Sequence, residues 1–364
     1  MQSRSGKKRL IKQKEAMEKR ILITGASGFI GSFIVEEALR RGLETWAAVR
    51  KNSPRTYLQD PRIHFIELDF ADTDKLYDQL KDTQFDYIVH AASVTKCADK
   101  HDFYKVNTEG TAHFVKAVHC SQTHLKRFVF LSSLSVFGAI REEMPYEDIK
   151  ETDKPRPNTD YGKSKLKAEA AVRKPYTVTL KDVEGEAAVL QTLPYVILRP
   201  TGVYGPREKD YFLMAKSIKQ HVDFSVGFKQ QDITFVYVDD VVQAVFLALE
   251  KEGVDRRAYF LTDGQVYTSA DFSRLLHQEL GRPWWIRIKA PLFILRLACM
   301  VGDFIGKKTG KISALNNDKY HILKQRNWRC DITSARQHLG YEPQVTLEEG
   351  VRRCVAWYKK AGWL

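Results

Sequence analysis

The segment Tyr161-Gly162-Lys163-Ser164-Lys165 contains two side chains whose types and spacing could move a proton. The periodicity of residues 161–173 predicts a helix, on which Tyr161 and Lys165 are four positions apart and share a face. A tyrosine hydroxyl has an ordinary pKa of about 10, so it is a poor base at neutral pH, but a neighbouring cation lowers that pKa. The pair could therefore serve as an acid and base, although helices also carry such pairs by chance.

A second candidate is the serine-rich segment Ser132-Ser133-Leu134-Ser135-Val136-Phe137-Gly138, which follows a predicted strand. A serine hydroxyl placed there could donate a hydrogen bond to a substrate oxygen and stabilise the charge that develops on it. The alternative is a serine that merely caps a turn.

Three glycines, Gly25, Gly28 and Gly31, lie between a short apolar run and a segment of helical periodicity. Such a turn exposes backbone N–H groups and the positive end of a helix, and no side chain blocks an approaching pyrophosphate. The spacing departs from the usual G-x-G-x-x-G. A tight turn in any α/β protein is therefore the alternative to a dinucleotide site.

These candidates must be positioned by alternating strands and helices. The predicted strands cover residues 20–24, 44–50, 63–70, 85–93, 127–138 and 194–205. The predicted helices cover residues 29–40, 72–83, 101–122 and 161–173. This alternation predicts an α/β fold with a doubly wound parallel sheet, in which ligands bind beyond the carboxyl ends of the strands.

The same pattern divides the chain. Residues 1–19 form a basic extension that we expect to be disordered, residues 20–205 the dinucleotide-binding domain, and residues 206–364 a smaller, mostly helical substrate lobe with segments that return to the first domain. Residues 174–192 are unusually long for a helix-to-strand connection and predict a hairpin or surface excursion.

The formal net charge is +13, but much of the excess lies in residues 1–20, which hold eight lysines and arginines against two glutamates. A solvated appendage explains this segment better than a nucleic-acid-binding arm, and it lacks the apolar core of a secretory signal. Residues 290–306 are apolar but too short and too interrupted to span a bilayer. We therefore expect neither a nucleic-acid partner nor an integral membrane segment.

The five cysteines are odd in number and show no C-x-x-C spacing. This favours reduced thiols in a cytoplasmic protein and argues against a disulfide framework or a metal site.

Six blocks together resemble the extended short-chain dehydrogenase/reductase family, also called the NAD-dependent epimerase/dehydratase family, from about residue 20 to the C-terminus. In order they are TGASGFIG, VNTEGT (106–111), SSLSVFG, YGKSK, LRPTGVYGPR (198–207) and FVYVDDVVQAV (235–245). The first matches that family's T-G-x-x-G-x-x-G, which accounts for the altered glycine spacing. The resemblance implies a Rossmann-type fold.

The resemblance also implies catalytic roles. Ser133 aligns with the family's catalytic serine, rather than Ser132 or Ser135. Tyr161 would be the general acid and base, and Lys165 would activate it and hold the nicotinamide ribose. Asn107 would shape the site and support a proton relay, with a purely structural role in the helix as the alternative.

The cofactor-binding positions follow from the same resemblance. They are Gly25, Ser27, Gly28, Phe29, Ile30 and Gly31 at the glycine turn, Asp69 and Phe70 near the adenine, Ala91, Ala92, Pro200 and Val203 along the cofactor, and Tyr161 and Lys165 at the ribose. The second strand ends at Arg50 without the acidic residue typical of NAD sites, and a guanidinium suits a 2′-phosphate, so NADP is favoured over NAD.

Three functions remain open. The first is an oxidoreductase for a secondary alcohol or ketone on a bulky substrate, since Trp284, Trp285 and residues 290–306 resemble the 3-beta-hydroxysteroid-dehydrogenase-like and dihydroflavonol-reductase-like branches. A buried core helix is the alternative for residues 290–306. The second is a nucleotide-sugar epimerase or dehydratase with tightly bound NAD. Ile233 argues against it, because sugar-nucleotide members of the family typically have a diphosphate-binding arginine at that position.

The third is a non-catalytic dinucleotide sensor, disfavoured by the presence of Ser133, Tyr161 and Lys165. A peripheral membrane role through the basic N-terminus and residues 290–306 is a further idea. Many relatives form homodimers through helices that correspond to residues 101–122 and 161–173, so the resemblance implies a homodimer.

Overall fold

The computed structural model describes residues 19–182, 185–309, 313 and 315–364, so the predicted extension lies outside it except for Lys19. The strands, in chain order, are β1 (Arg20–Thr24), β2 (Glu44–Ala48), β3 (His64–Ile66), β4 (Tyr87–His90), β5 (Arg127–Leu131), β6 (Tyr176–Asp182), β7 (Gly185–Gln191), β8 (Tyr195–Pro200), β9 (Gly202–Tyr204), β10 (Val222–Val226), β11 (Asp232–Ile233), β12 (Phe235–Tyr237), β13 (Arg257–Leu261), β14 (Tyr267–Thr268) and β15 (Ile286–Ala290).

The α-helices are α1 (Phe29–Arg40), α2 (Thr73–Leu80), α3 (Lys100–Phe103), α4 (Gly110–Ser121), α5 (Asp160–Arg173), α6 (Asp210–Lys219), α7 (Val238–Glu250), α8 (Ser269–Glu279), α9 (Leu292–Thr309), α10 (Asn317–Lys324) and α11 (Leu347–Lys360). Two short π-helical segments, Tyr104–Glu109 and Ala335–Leu339, and one 3₁₀ segment, Leu134–Val136, complete the described elements.

The central sheet has the order β13-β8-β5-β4-β1-β2-β3, and every neighbouring pair is parallel. The order reverses at β1, which pairs with both β2 and β4, and this reversal is the topological switch point of a doubly wound sheet. The predicted Rossmann-type fold is confirmed. Its edge strand β13 comes from beyond residue 205, so a late segment does return to the sheet.

Burial explains why these strands are central. Every residue of β4, β5 and β8 is buried, as expected for parallel strands with helices on both faces. One face packs on α1 and α7 through side chains such as Ile34 and Val245, and the other packs on α2 and α4 through Leu76 and Phe114. Two layers of core therefore fix the ends of the strands where the candidate residues lie.

Two predicted elements are interrupted in the structure. The helix predicted over residues 101–122 contains the π-helical segment Tyr104–Glu109, and the strand predicted over residues 194–205 is divided into β8 and β9. Within residues 174–192, β6 and β7 pair antiparallel, with Tyr176 opposite Gln191, in agreement with the predicted hairpin. This hairpin accounts for the unusual length of the connection.

Helix α9 corrects one expectation. A buried core helix was an alternative for residues 290–306, but large apolar side chains of α9, such as Phe293, Leu297 and Phe304, are mostly exposed. No helix among the described residues is long and apolar enough to cross a membrane.

Candidate functional site

The glycine turn between β1 and α1 is closed by backbone contacts that leave no room for side chains. Gly25 has a φ of +68°, and a Cβ there would lie 2.7 Å from the carbonyl carbon of Ala91. A Cβ on Gly31 would lie 2.1 Å from the Gly25 oxygen, which already accepts a 2.9 Å hydrogen bond from the Gly28 N–H. No side chain caps the start of α1, and its first turn has no acidic residue. The cradle therefore fits a pyrophosphate.

A buried row of hydrogen-bonded side chains, which the motifs did not indicate, lies beside this turn. His90 lies between two hydroxyls, with Nδ1 2.7 Å from Thr24 Oγ1 and Nε2 3.0 Å from Thr111 Oγ1. Burial lowers the pKa of His90 to about 3, so the ring is neutral. Thr24 Oγ1 also accepts the Ala92 N–H at 3.2 Å. This row holds Ala91 and Ala92 against the glycine turn.

Tyr161 lies in the first turn of α5, which is capped from two directions. Thr159 Oγ1 accepts the Gly162 N–H at 2.9 Å, as an N-cap residue does. The carboxylate of Asp318, from α10, accepts the N–H groups of Asp160 and Tyr161, each at 2.9 Å. Sequence reasoning missed Asp318 because it is remote in the chain and belongs to no recognisable motif. Its position ties α10 to α5.

The Tyr161 hydroxyl is brought next to two serines. Burial raises the pKa of Tyr161 above its ordinary value, and the nearby hydroxyls of Ser133 and Ser93 act in the opposite direction. Ser133 Oγ also accepts the Ser135 N–H at 3.1 Å, so it caps the short 3₁₀ turn. The structure thus unites the predicted serine and tyrosine and adds Ser93, which no motif singled out.

Lys165 lies on the same helix but does not point its ammonium group at Tyr161. Its Nζ donates a 2.6 Å hydrogen bond to the Leu131 carbonyl and lies 4.2 Å from the centre of the Phe130 ring. Burial lowers the pKa of Lys165 to about 7, while the charge of Glu169 acts in the opposite direction. The ammonium is therefore held against the end of β5.

Behind Lys165 lies a buried ion pair that was not predicted. Arg199 donates two hydrogen bonds to the Glu169 carboxylate, at 2.9 and 2.6 Å, and Ser132 Oγ donates a third at 2.6 Å. Both charged side chains are almost fully buried. This pair joins α5 to β8, and Ser132 has a positioning role distinct from that of Ser133.

Asn107 lies in the π-helical segment Tyr104–Glu109 and uses both ends of its amide. Oδ1 accepts the Val94 N–H at 2.8 Å, and Nδ2 donates to the Val94 carbonyl and to Ser164 Oγ, each at 3.0 Å. Asn107 therefore holds the loop that carries Ser93 against α5. These bonds support the structural alternative for this residue.

The remaining predicted cofactor positions lie around the carboxyl edge of the sheet. Arg50 is exposed just after β2, and no carboxylate occurs between residues 49 and 53. Asp69 accepts the Ala71 N–H and pairs with Lys75, contacts that lower its pKa. Phe70 packs on His90. The other positions are Ser27, Phe29 and Ile30 at the start of α1, and Pro200 and Val203 in β8 and β9.

A cavity of about 420 Å³ opens between α6, β10 and the loop before α10. Lys96 and Lys319, close in sequence to Ser93 and Asp318, line it and both pair with Asp210. Its other walls include the apolar side chains of Phe224 and Leu315. A second cavity, of about 500 Å³, lies between α1 and residues 56–63, and none of the predicted site residues lines it.

Among the described residues, no group of three or more histidine, cysteine or acidic side chains could hold a metal ion. All five cysteines are free thiols.

Comparisons with known proteins agree with the fold. The model of the NAD dependent epimerase/dehydratase family matches residues 21–261. The chain is 26% identical over 346 residues to the UDP-glucose 4-epimerase of Vibrio cholerae, covering 93% of this chain and 94% of that protein. It is 25% identical over 362 residues to the 3 beta-hydroxysteroid dehydrogenase/Delta 5→4-isomerase of Mycobacterium tuberculosis, covering 93% and 90%.

Among solved structures, that of the Bordetella bronchiseptica enzyme WbmG in complex with NAD has a TM-score of 0.72 at 20% identity, covering 95% of this chain and 96% of that one. At this level of identity, the likeness shows the fold alone.

Proposed function

Because the chain belongs to the NAD dependent epimerase/dehydratase family, we propose that it is an NAD(P)-dependent oxidoreductase for a secondary alcohol or ketone of a bulky, largely apolar substrate. The observation that carries this proposal is the group formed by Tyr161, Ser133 and Ser93 at the carboxyl edge of the sheet. The glycine cradle between β1 and α1 fits the pyrophosphate of a dinucleotide.

In this proposal, the bound cofactor supplies or accepts hydride, and the chain handles the proton and the substrate oxygen. Because burial raises the Tyr161 pKa, its hydroxyl is protonated at neutral pH and is ready to donate to a ketone oxygen. Ser133 donates a hydrogen bond to the same oxygen. Lys165, whose ammonium is held at the end of β5, would hold the nicotinamide ribose.

The cavity near this group supports the substrate class. Its lysines, Lys96 and Lys319, both pair with Asp210, which offsets one of their two charges, and most of its other lining side chains are apolar. Ile233, at the position expected for a diphosphate-binding arginine, packs with the aromatic cluster of the C-terminal lobe. These features favour a large apolar alcohol or ketone over a sugar nucleotide.

A nucleotide-sugar epimerase is the second candidate, because the Vibrio cholerae relative with that activity matches over nearly its whole length. In that reaction the cofactor is reduced and reoxidised within one catalytic cycle and stays bound.

The two candidates differ in how they hold the cofactor. We expect the purified protein to bind NADPH in a fluorescence titration, to exchange it freely, and to release no nicotinamide cofactor when denatured. That result supports a reductase, which must exchange its cofactor after each turnover. NAD released in amounts equal to the protein would instead favour the epimerase.

Arg50 is proposed to select NADPH through its 2′-phosphate. Replacing it with alanine should weaken NADPH binding by about tenfold, the loss of one charge-assisted hydrogen bond, and leave NADH binding within about twofold. Dissociation constants from parallel titrations measure this. Arg40→Ala removes the same charge from an exposed position on α1 and is the control. Equal loss for both cofactors would contradict the 2′-phosphate contact.

A further inference from the structure

Helix α9 presents its large apolar side chains to solvent and its small ones to the protein. The exposed side chains, between 49% and 73% accessible, are Phe293, Ile294, Leu297, Met300, Val301, Phe304 and Ile305. Their spacing places them on one face of a helix. The opposite face contains Leu295, Cys299 and Gly306, which are buried, and Gly302, where a Cβ would lie 2.0 Å from the Leu315 carbonyl oxygen. The contact with the protein therefore uses the face with the smaller residues.

The two-stranded ribbon of β10 and β15 likewise exposes large apolar side chains and buries its polar face. Asp223 is buried and accepts hydrogen bonds from Arg287 at 2.9 Å and Ser273 at 2.8 Å, so the polar face of the ribbon packs inward. Phe224 and Ile288, directly opposite each other in register, point outward and are exposed. Trp284, just before β15, is 67% exposed.

We call the outward face of α9, together with Phe224, Trp284, Trp285, Ile286 and Ile288, the apolar surface. Soluble monomers rarely expose so many large apolar side chains, and such a surface is typical of an interaction site. Four exposed cations lie close to it along the chain: Arg282, Lys289, Arg296 and Lys308. None of them forms an ion pair with another residue that the structure describes. Tryptophans beside an apolar face with a cationic border are typical of a helix that lies in a membrane interface.

We propose that the apolar surface docks on an anionic lipid membrane, with α9 lying in the plane of the interface. Apolar side chains enter the boundary between headgroups and acyl chains, and the four cations contact lipid phosphates. Asp303, the acidic residue of α9, is turned away and accepts the Asn317 N–H at 3.0 Å. No acidic group of α9 therefore opposes the anionic surface.

Charge argues against a second copy of the chain as the partner. A two-fold interface would place this cationic border against itself, and like charges would repel. The bilayer supplies the opposite charge. The proposal does not depend on the reaction, although Phe224 and Leu315 line the cavity beside the candidate site, so a docked molecule would hold that cavity near the lipid.

The test uses the full chain without cofactor or substrate. We expect it to co-sediment with vesicles of phosphatidylcholine and phosphatidylglycerol, to bind pure phosphatidylcholine vesicles much less, and to lose binding as salt rises. The double variant Leu297→Asp with Phe304→Asp should reduce the partition coefficient by at least about tenfold. Cofactor binding and the melting temperature should be unchanged, because both side chains are exposed.

The matched control is Met144→Asp with Leu190→Asp, which adds the same charges at apolar side chains that are 64% and 70% exposed but lie outside the apolar surface. It should bind vesicles like the unaltered protein. Equal binding by Leu297→Asp/Phe304→Asp would overturn the proposal and assign binding to the basic N-terminal segment. The proposal would also be overturned if the unaltered protein does not bind vesicles but forms a dimer that Leu297→Asp/Phe304→Asp dissociates. The partner would then be a second copy of the chain.

Discussion

Replacing Tyr161 with phenylalanine is expected to lower the rate of hydride transfer by about a thousandfold. Positioned acid–base groups contribute roughly 10²–10⁴ to a rate, and phenylalanine has no proton to donate to the ketone oxygen. The ring fills the same space, and the Asp318 cap acts on the backbone, so α5 should keep its position. The measurement is turnover of NADPH with a panel of bulky apolar ketones, together with the dissociation constant of NADPH, which should change by less than about twofold.

Tyr146→Phe is the matched control. Tyr146 is also buried, and its hydroxyl donates a 3.2 Å hydrogen bond to the Gln230 carbonyl, away from the serines. This variant should keep turnover within about twofold. Full turnover in Tyr161→Phe would remove Tyr161 from the mechanism. A large loss in both variants would mean that turnover responds to any buried hydroxyl, and it would not identify the acid.

The second large effect concerns the buried pair behind the site. Replacing Glu169 with glutamine is expected to lower the free energy of unfolding by about 3 kcal/mol, because it leaves the Arg199 guanidinium buried without its counter-charge. Loss of the Glu169 charge should also lower the Lys165 pKa further below its value of about 7, since that carboxylate favours the ammonium. Lys165 would then lose its proton at lower pH.

Denaturant unfolding at neutral pH measures the first effect, and the pH profile of turnover measures the second. Glu37→Gln is the control, because Glu37 pairs with Arg40 and Arg41 at the surface of α1, where such pairs contribute about 0–1 kcal/mol. If Glu169→Gln destabilises the protein no more than Glu37→Gln, the buried pair does not support the fold. An unshifted pH profile would exclude the coupling to Lys165.

Local sequence determined much of this protein. The apolar run before Gly25 predicted β1, and the glycine spacing predicted a tight turn into α1, where the structure leaves no room for a Cβ. The alternation of strands and helices predicted the doubly wound sheet, since parallel strands require crossover helices. The order of the six blocks indicated the family. Ser133 and Tyr161 were identified in the same way, and the structure places them together.

Only the tertiary structure decided which distant groups meet. Asp318 caps α5 from α10, and Ser93 lies near Tyr161 from the loop after β4, arrangements that no local pattern encodes. The i to i+4 spacing placed Lys165 on the same helix face as Tyr161 but could not give the direction of its long side chain. The structure shows that its ammonium group donates to the Leu131 carbonyl.

The same limit applies to α9. Periodicity reports that a helix has an apolar face but not whether the protein covers it. Residues 290–306 were compatible with a core helix, and only packing showed that the small-residue face is buried while the large apolar face is exposed. Local patterns follow from backbone and burial preferences within one element. Whether the apolar face of a helix is covered depends on where the other elements fold, and long-range contacts determine that.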